Sequence, residues 1–372
     1  MTRRLLREDL YLMARTRRFF LNAGFAASAG LAFPGISCGQ AAEKVVVSLA
    51  TGPRGQTAYM DMAQAKGYWV KRGLDVEIVR GNGAAATIGA VGSGRAQFGL
   101  VQMPAIILSR TPGAAVTCIA IAQYDSTLGV GFLQGSPIRE PKDIEGRTLT
   151  ALSGGIAGPL LPLYAQRNGI DVTTVKIVNI DSPLNDQMVL QKKADGLLGT
   201  VYANVPAYAS EGHKIHFMPY RKAGIELYGL SLIAGRRLCD RRPDLCHSFV
   251  DGLMEGIRDT LLNPDEALDI YLKANPEMGV SKNGQDFARL GIGIFLTTLG
   301  EGEIESHGLG WADPARLGAM ADLIAAYLAQ PGAPPVDPAK LFRNDFTGQI
   351  SLSPAELDQA RRNMRPFLKY TV

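Results

Sequence analysis

The chain has 372 residues, with 39 lysines and arginines against 35 aspartates and glutamates. Six of those arginines and two of the acidic residues lie within residues 1–42, so the remainder carries 33 charges of each sign and is formally neutral. The basic character of the full chain therefore comes from residues 1–42, and it gives no argument for a nucleic acid or an acidic partner. About 330 residues remain, which is enough chain for two lobes with separate cores.

Residues 1–42 differ in kind from the rest of the chain. Arg17 and Arg18 precede Phe19, and a short apolar run over residues 23–33 leads to small residues up to position 42. This order is typical of a twin-arginine export signal, and the apolar run is too short to span a bilayer. We therefore predict a periplasmic protein. The alternatives are a basic N-terminal helix of a cytosolic protein and lipid attachment at Cys38.

Cysteine and histidine are scarce, at four residues each. Cys118 lies in an apolar run and is expected to be a small buried side chain. Cys239 and Cys246 are spaced to close a small disulfide loop in an oxidising compartment, or they remain two free thiols. The scattered cysteines and histidines predict no metal site and no cofactor.

The first folded elements form a strand–helix–strand unit. Residues 44–49 are rich in β-branched side chains, and residues 75–79 alternate between apolar and polar. Between them, one apolar helix face recurs at three- and four-residue steps, and Gly73 is expected to end that helix. The positions on this face are Tyr59, Met62, Lys66 and Trp69. The two strands should be parallel neighbours, and the aromatic positions should be core.

The same alternation of strands and helices continues in two series. One series runs to residue 134, and a second begins near Thr148. From Pro243 onward the chain is predicted to be mainly helical. We therefore predict lobe 1 from residues 43–134 and 229–372, with residues 135–228 inserted as lobe 2.

Ligands of open α/β sheets bind beyond the carboxyl ends of the strands, and two facing lobes place the site in the cleft between them. This positional rule selects polar, aromatic and small residues that follow predicted strands. In lobe 1 they are Arg54, Gln56, Thr57, Asn82, Gln102, Tyr124, Asp125 and Ser126. In lobe 2 they are Ser153, Gly154, Gly155, Ile156, Asp181, Thr200 and Tyr202, with Tyr228 at the returning crossover.

Each candidate has an ordinary structural alternative. The glycines after Ser153 favour backbone approach to an anion, or they form a tight turn before a helix. Arg54 is suited to clamp a carboxylate or sulfonate, and a surface arginine needs no such ligand. Tyr124 and Tyr202 are suited to stack on a flat ligand, or they pack beneath loops. Asp125 is a candidate partner for an amino group, and both it and Asn82 are also ordinary turn formers.

No catalytic motif is present. The chain has no G-x-S-x-G elbow, no H-E-x-x-H and no cysteine–histidine pair in a recognisable context. The sequence thus favours a binding protein. The alternative is an enzyme of the same fold.

Four ordered segments resemble the periplasmic solute-binding proteins of nitrate, taurine, sulfonate and thiamine-precursor ABC importers. They are residues 65–77, 91–99, 141–148 and 335–342. The resemblance implies an α/β, two-lobed type II periplasmic binding fold, with two doubly wound sheets joined by a hinge and a helical C-terminal part. It also implies a monomer that captures a small organic solute and delivers it to a membrane permease and its ATPase.

The resemblance implies either a small organic anion or a pyrimidine-type heterocycle as ligand. Residues 212–215 and 228–230 resemble the branch that binds thiamine pyrimidine precursors. That branch carries an acidic residue after an Asn-Val step, whereas Pro206 follows Asn204 and Val205 here. The cysteine-rich motif of the related fungal pyrimidine synthases is absent, which argues against the enzymatic alternative.

Overall fold

The computed structural model describes residues 42–50, 54–109, 116–153, 155–180, 184–328, 337 and 340–371. The predicted export signal, with Arg17, Arg18 and Cys38, lies outside the described residues, as do Gly154 and Asp181. Within the described part, no helix is both long enough and apolar enough to cross a membrane.

The described residues form ten strands, which build two five-stranded sheets. The strands are β1 (Glu43–Leu49), β2 (Leu74–Arg80), β3 (Phe98–Gln102), β4 (Val116–Ile121), β5 (Leu128–Leu133), β6 (Thr148–Leu152), β7 (Lys176–Ile180), β8 (Gly196–Thr200), β9 (Ile215–Pro219) and β10 (Leu230–Gly235). The first sheet has the order β2-β1-β3-β10-β4 and the second has the order β7-β6-β8-β5-β9. In each sheet the fourth strand runs antiparallel to its neighbours. The predicted α/β fold with two sheets is confirmed.

Fourteen α-helices lie in the described part of the chain, and the last eight follow one another after β10. They are α1 (Ala58–Ala65), α2 (Ala84–Gly92), α3 (Met103–Leu108), α4 (Leu161–Asn168), α5 (Leu184–Leu190), α6 (Val201–Ser210), α7 (Arg236–Arg241), α8 (Pro243–Leu262), α9 (Pro264–Ala274), α10 (Pro276–Gly279), α11 (Lys282–Leu296), α12 (Glu301–His307), α13 (Pro314–Tyr327) and α14 (Pro354–Met364). The helical C-terminal part is as predicted.

The first strand–helix–strand unit is confirmed, with β1 and β2 as parallel neighbours. The helix ends earlier than predicted, because Gly67 adopts a left-handed backbone with a φ of 67° immediately after α1. The chain then forms a short 3-10 turn over Val70–Arg72, and it is this turn that Gly73 ends. A glycine takes that conformation at little cost, so the first glycine and not the second stops the helix.

The predicted core face of this unit is buried under the C-terminal helices. Trp69 is almost fully enclosed, its indole Nε1 donates a 3.0 Å hydrogen bond to the carbonyl of Phe249, and its ring stacks on the Phe249 ring. Tyr59 and Met62 are also fully buried. Helix α8 therefore covers the first sheet, and the reading of these aromatic positions as core is confirmed.

Strand β5 lies in the second sheet, where it pairs with β8 and β9. The prediction of lobe 1 as residues 43–134 placed this strand with the first sheet. The chain therefore crosses from the first sheet to the second within residues 122–127, and it returns between β9 and β10. The two crossing segments bond to each other, since the Gly229 amide donates to the Gln123 carbonyl at 2.8 Å and the Ser126 amide donates to the Leu227 carbonyl at 2.9 Å.

Helix α6 begins at Val201, directly after β8, and Pro206 lies inside it. The missing N–H of the proline leaves one carbonyl of the first turn without its usual helical partner. Because α6 begins at Val201, Tyr202 lies in the first turn of a helix and not in a loop.

Candidate ligand-binding site

A cavity of about 370 Å³ lies between the two sheets. Arg54, Gln102 and Ser126 line it from the first sheet and the crossing segment. Its other walls come from the ends of β6 and β8 and from helices α5 and α6 of the second sheet. The volume is within the range of about 300–1,000 Å³ typical of small-molecule sites. The cavity is therefore the candidate binding site.

Seven of the residues selected from the sequence line this cavity. They are Arg54, Gln102, Ser126, Gly155, Ile156, Thr200 and Tyr202. They come from both sides of the cleft, as the positional rule requires. The structure thus places together residues that are up to about 150 positions apart in the chain.

Gln102 and Tyr202 connect the two sides directly. The side-chain amide Nε2 of Gln102, at the end of β3, donates a 3.3 Å hydrogen bond to the hydroxyl of Tyr202, in the first turn of α6. Burial raises the pKa of Tyr202, so its hydroxyl stays protonated and neutral. The Gln102 Oε1 atom is buried and has no partner among the described residues. That oxygen has an unused capacity to accept a hydrogen bond.

Arg54 supplies the positive charge of the cavity. Its backbone is fixed by Thr57, whose hydroxyl donates a 2.9 Å hydrogen bond to the Arg54 carbonyl. Within the described part of the chain, its guanidinium forms no ion pair with a carboxylate. A guanidinium in this state is available for a negatively charged or carbonyl group of a ligand.

A second polar group of the cavity comes from the first turn of α5 and was not selected from the sequence. The Asn204 side-chain amide donates to the Asp186 carboxylate at 3.0 Å, and the other end of that amide accepts the Thr200 backbone N–H at 3.0 Å. Burial raises the pKa of Asp186. The neighbouring Asn185 is buried, and its Oδ1 atom has no partner among the described residues.

Asn185 and Asp186 follow strand β7 by five and six residues. The positional rule selected Asp181, which directly follows that strand, and it selected no residue of the helix after it. Extending the rule by one helical turn finds both side chains, because the first turn of the following helix lies at the same edge of the sheet. The other wall residues missed from the sequence are apolar or small, namely Leu128, Leu152, Gly158, Leu198, Gly199 and Ala207.

Several selected residues lie outside the cavity. Gln56 and Thr57 are buried beside it, whereas Asn82 and Ser153 are exposed to solvent. Asn82 lies between two glycines in the turn before α2, as its alternative as a turn former suggested. None of these four side chains contributes to the walls of the cavity.

Tyr124, Asp125 and Tyr228 lie in the crossing segments and bond to other parts of the protein. The Tyr124 hydroxyl accepts the Gly310 amide at 3.0 Å, and the Tyr228 hydroxyl donates to the Glu303 carboxylate at 2.6 Å. Asp125 pairs with Arg221 at 3.2 Å, and burial raises its pKa. All three are outside the walls of the cavity, so their role as ligand contacts stays a prediction.

Two five-stranded sheets that enclose a polar cavity and are joined by two paired crossing segments define the class of two-lobed solute-binding proteins. Residues 55–267 match the family described as NMT1/THI5 like, which covers more than half of the chain, and the chain belongs to this family. The resemblance inferred from the sequence is confirmed.

Individual relatives are similar at lower identity. A formylaminopyrimidine-binding protein of Halalkalibacterium halodurans is 27% identical over 241 residues, which cover 64% of this chain and 72% of that protein. The alkanesulfonate-binding protein SsuA from Xanthomonas axonopodis pv. citri, solved with bound MOPS, superposes with a TM-score of 0.57 at 14% identity, covering 81% of this chain and 98% of that one. The second similarity shows the fold alone.

The similarity to an enzyme is short. The 4-amino-5-hydroxymethyl-2-methylpyrimidine phosphate synthase THI11 of Saccharomyces cerevisiae is 33% identical over 79 residues, which cover 21% of this chain and 23% of that enzyme. Within the described residues, no cluster of three or more histidine, cysteine or acidic side chains is placed to hold a metal ion.

Proposed function

We propose that this protein is the substrate-binding component of an ABC importer, which captures a small organic solute in the cavity between its two sheets and delivers it to a membrane permease and its ATPase. The observation that carries the proposal is the cavity itself. Residues of both sheets line it, and two of these residues, Gln102 and Asn185, each have a buried side-chain oxygen without a partner among the described residues. Buried polar atoms without partners are costly, and we propose that a solute bound on closure supplies the missing partners.

The polar walls favour a flat heterocycle with N–H donors, of the pyrimidine type. Gln102 Oε1, Asn185 Oδ1 and the Asp186 carboxylate are all hydrogen-bond acceptors, so they require donors on the ligand. The Tyr202 ring offers an aromatic face, and the leucines of the second sheet supply apolar walls. The binding of a formylaminopyrimidine by a 27% identical relative supports the same class.

A small organic anion such as a sulfonate is the second candidate. Arg54 favours it, because its guanidinium lines the cavity without a carboxylate partner in the described part of the chain. Against it, the Asp186 carboxylate lines the same cavity and would repel an anion placed nearby. Recognition of an anion would therefore depend mainly on Arg54, whereas recognition of a heterocycle with N–H donors would depend mainly on Asp186.

Closure of two lobes is the proposed mode of capture. Lobe 1 comprises the first sheet and the C-terminal helices, predicted as residues 43–134 and 229–372, and lobe 2 is the inserted segment, predicted as residues 135–228. With β5 in the second sheet, the hinge falls in residues 122–127 and in the returning segment. A solute that contacts both lobes binds the closed state more tightly and shifts the equilibrium towards it.

The proposal includes export to the periplasm, with the twin-arginine signal of residues 1–42 and a mature monomer. It also includes the absence of catalysis. The described residues that line the cavity include no cysteine, histidine or lysine, so the cavity offers no thiol, imidazole or Schiff-base amine. Turnover of a pyrimidine by the purified protein would favour the enzymatic alternative.

Native mass spectrometry of the protein gently purified from the periplasm tests the proposal first. We expect a reproducible additional mass of a small organic molecule that is lost on denaturation. Thermal unfolding with formylaminopyrimidine and with MOPS then separates the two ligand classes, because a ligand at about 100 times its Kd adds about 2.7 kcal/mol of stability. An Asn82→Ala variant is the matched control, since this exposed side chain lies outside the cavity. Absence of any bound mass together with no stabilisation by either compound would reject the proposal.

A further inference from the structure

Two cysteines outside the ligand cavity lie side by side in the C-terminal half. Cys239 is in the short helix α7 and Cys246 is in the first turns of α8, and their sulfur atoms are 4.0 Å apart. Both are free thiols in this structure, and both side chains are buried. The third described cysteine, Cys118, is buried in strand β4. The close pair is therefore distinct from an isolated core thiol.

The turn between the two helices holds this arrangement in place. Arg242 is the only residue between α7 and α8, and its guanidinium bonds to both carboxylate oxygens of Glu43, at 3.1 and 3.0 Å. The same side chain pairs with Asp244 at 3.2 Å. These contacts tie the α7–α8 turn to the start of β1, so the two cysteines stay opposite each other.

The surroundings of the pair make one thiol the better nucleophile. The Cys246 thiol donates a hydrogen bond to Cys239, and the Arg343 guanidinium lies nearby, so the pKa of Cys239 is lowered. The same sulfur contact, together with burial, raises the pKa of Cys246. Arg343 is itself positioned by Asp240 at 2.8 Å and Asp345 at 2.6 Å. A thiolate next to a second thiol is the arrangement from which disulfide exchange starts.

The geometry points to Cys239 and Cys246 as a site of oxidation to an intramolecular disulfide by a thiol–disulfide oxidant. The Cys239 thiolate attacks one sulfur of the oxidant's disulfide, forms a mixed disulfide and releases one thiolate of the oxidant. The Cys246 thiolate then attacks the Cys239 sulfur and displaces the second thiolate of the oxidant. In total, the two cysteines lose two protons and two electrons, and the oxidant is reduced to two thiols.

The test uses the full chain, glutathione disulfide as the oxidant and alkylation of the remaining thiols after denaturation. The chain has four cysteines. We expect the number of alkylated thiols to fall from four to two, the intact mass before alkylation to fall by about 2 Da, and the non-reduced peptide map to contain a peptide that joins Cys239 to Cys246. Dithiothreitol should restore all four thiols.

Matched variants locate the bond. The Cys118→Ala and Cys38→Ser variants should lose two thiols as the wild type does, whereas Cys239→Ser and Cys246→Ser should lose none to an internal bond. If all four thiols of the wild-type chain remain alkylatable, or if glutathione stays attached to one cysteine with no linked peptide, the inference is wrong. The peptide map of the wild-type chain alone decides this, even where a variant does not fold. The result does not depend on the proposed transport function.

Discussion

Replacing Asp186 with asparagine tests the ligand site most directly. The carboxylate lines the cavity, and the Asn204 amide holds it at 3.0 Å. Asparagine has the same shape, and its oxygen still accepts that hydrogen bond, so the fold should not change. The variant loses the charge, and it turns an N–H group towards the ligand in place of an acceptor.

The size of the effect follows from the type of hydrogen bond that is lost. A hydrogen bond to a charged group contributes about 1.5–3 kcal/mol, and each 1.4 kcal/mol changes Kd tenfold. For formylaminopyrimidine we therefore expect Kd to rise about 10- to 150-fold in Asp186→Asn, measured by titration calorimetry on protein that has been unfolded and refolded to remove bound ligand. Because burial raises the pKa of Asp186, binding by the wild type should weaken in mild acid as this carboxylate takes up a proton, and the variant should lose that dependence.

Asp195→Asn is the matched control for this measurement. Asp195 also belongs to the second sheet and also accepts a hydrogen bond, from the Thr148 amide at 2.9 Å, but it does not line the cavity. We expect its Kd to equal that of the wild type. An unchanged Kd in Asp186→Asn, or an equal loss in both variants, would refute the assignment of Asp186 as a ligand contact.

Three further variants test a hydrogen bond across the cavity, packing and charge. Tyr202→Phe removes the hydrogen bond from Gln102, and urea unfolding of the ligand-free protein should show a loss of about 0.5–1.5 kcal/mol. Gly252→Ala places a Cβ atom 2.4 Å from Cδ1 of Trp69, and urea unfolding should show a loss of about 1–3 kcal/mol. Burial raises the pKa of Asp61 from 3.8 to about 7, so the folded state loses stability as pH rises from 4 to 7. Asp61→Asn should therefore be more stable than the wild type at pH 8. At about 1.4 kcal/mol for each pH unit between the two pKa values, the difference in the free energy of unfolding is up to about 4 kcal/mol, and it should vanish below pH 4. Equal stability of the two proteins at pH 8 would contradict the burial argument.

Local patterns were sufficient to predict the elements and the fold class. The alternation of β-branched runs with amphipathic helices is a property of neighbouring residues, so the parallel pairing of β1 with β2 followed from it. The sheet to which β5 belongs did not follow. Its apolar residues suit either sheet, and the choice depends on pairing with β8 and β9, which lie 60 to 90 positions later in the chain.

The site was predicted by position, and not every residue selected by that rule lies in the walls of the cavity. The rule assumes that the chain leaves a strand and enters a helix of the same layer, as at β3 and β8, where Gln102 and Tyr202 do line the cavity. After β4 the chain instead crosses to the second sheet. Tyr124 is buried there, and its hydroxyl accepts a hydrogen bond from the Gly310 amide, so it lies outside the walls of the cavity. The sequence contains no local signal for a crossing of this kind.

Asp125 stabilises the backbone of the crossing segment, residues 122–127, and its sequence position did not indicate this role. Thr127, two residues after Asp125, has a φ of 54°, which is a left-handed backbone conformation. This conformation costs a β-branched residue about 1–3 kcal/mol. Asp125 accepts the Thr127 amide at 2.8 Å, and the Thr127 carbonyl accepts the Val201 amide at 2.9 Å, so both ends of the strained residue are held.

The pairing of Asp125 with Arg221 extends this support to the returning side of the second sheet. Removal of Asp125 should therefore alter the conformation of the crossing, and with it the balance between open and closed lobes, without removing any wall of the cavity. Such a change weakens every ligand by the same factor, because it acts on the closure equilibrium and not on a contact. Removal of Asp186 acts on a contact, so it should discriminate between a ligand with N–H donors and an anion. The ratio of affinities for two ligands, and not either affinity alone, thus separates a hinge residue from a binding residue in this fold.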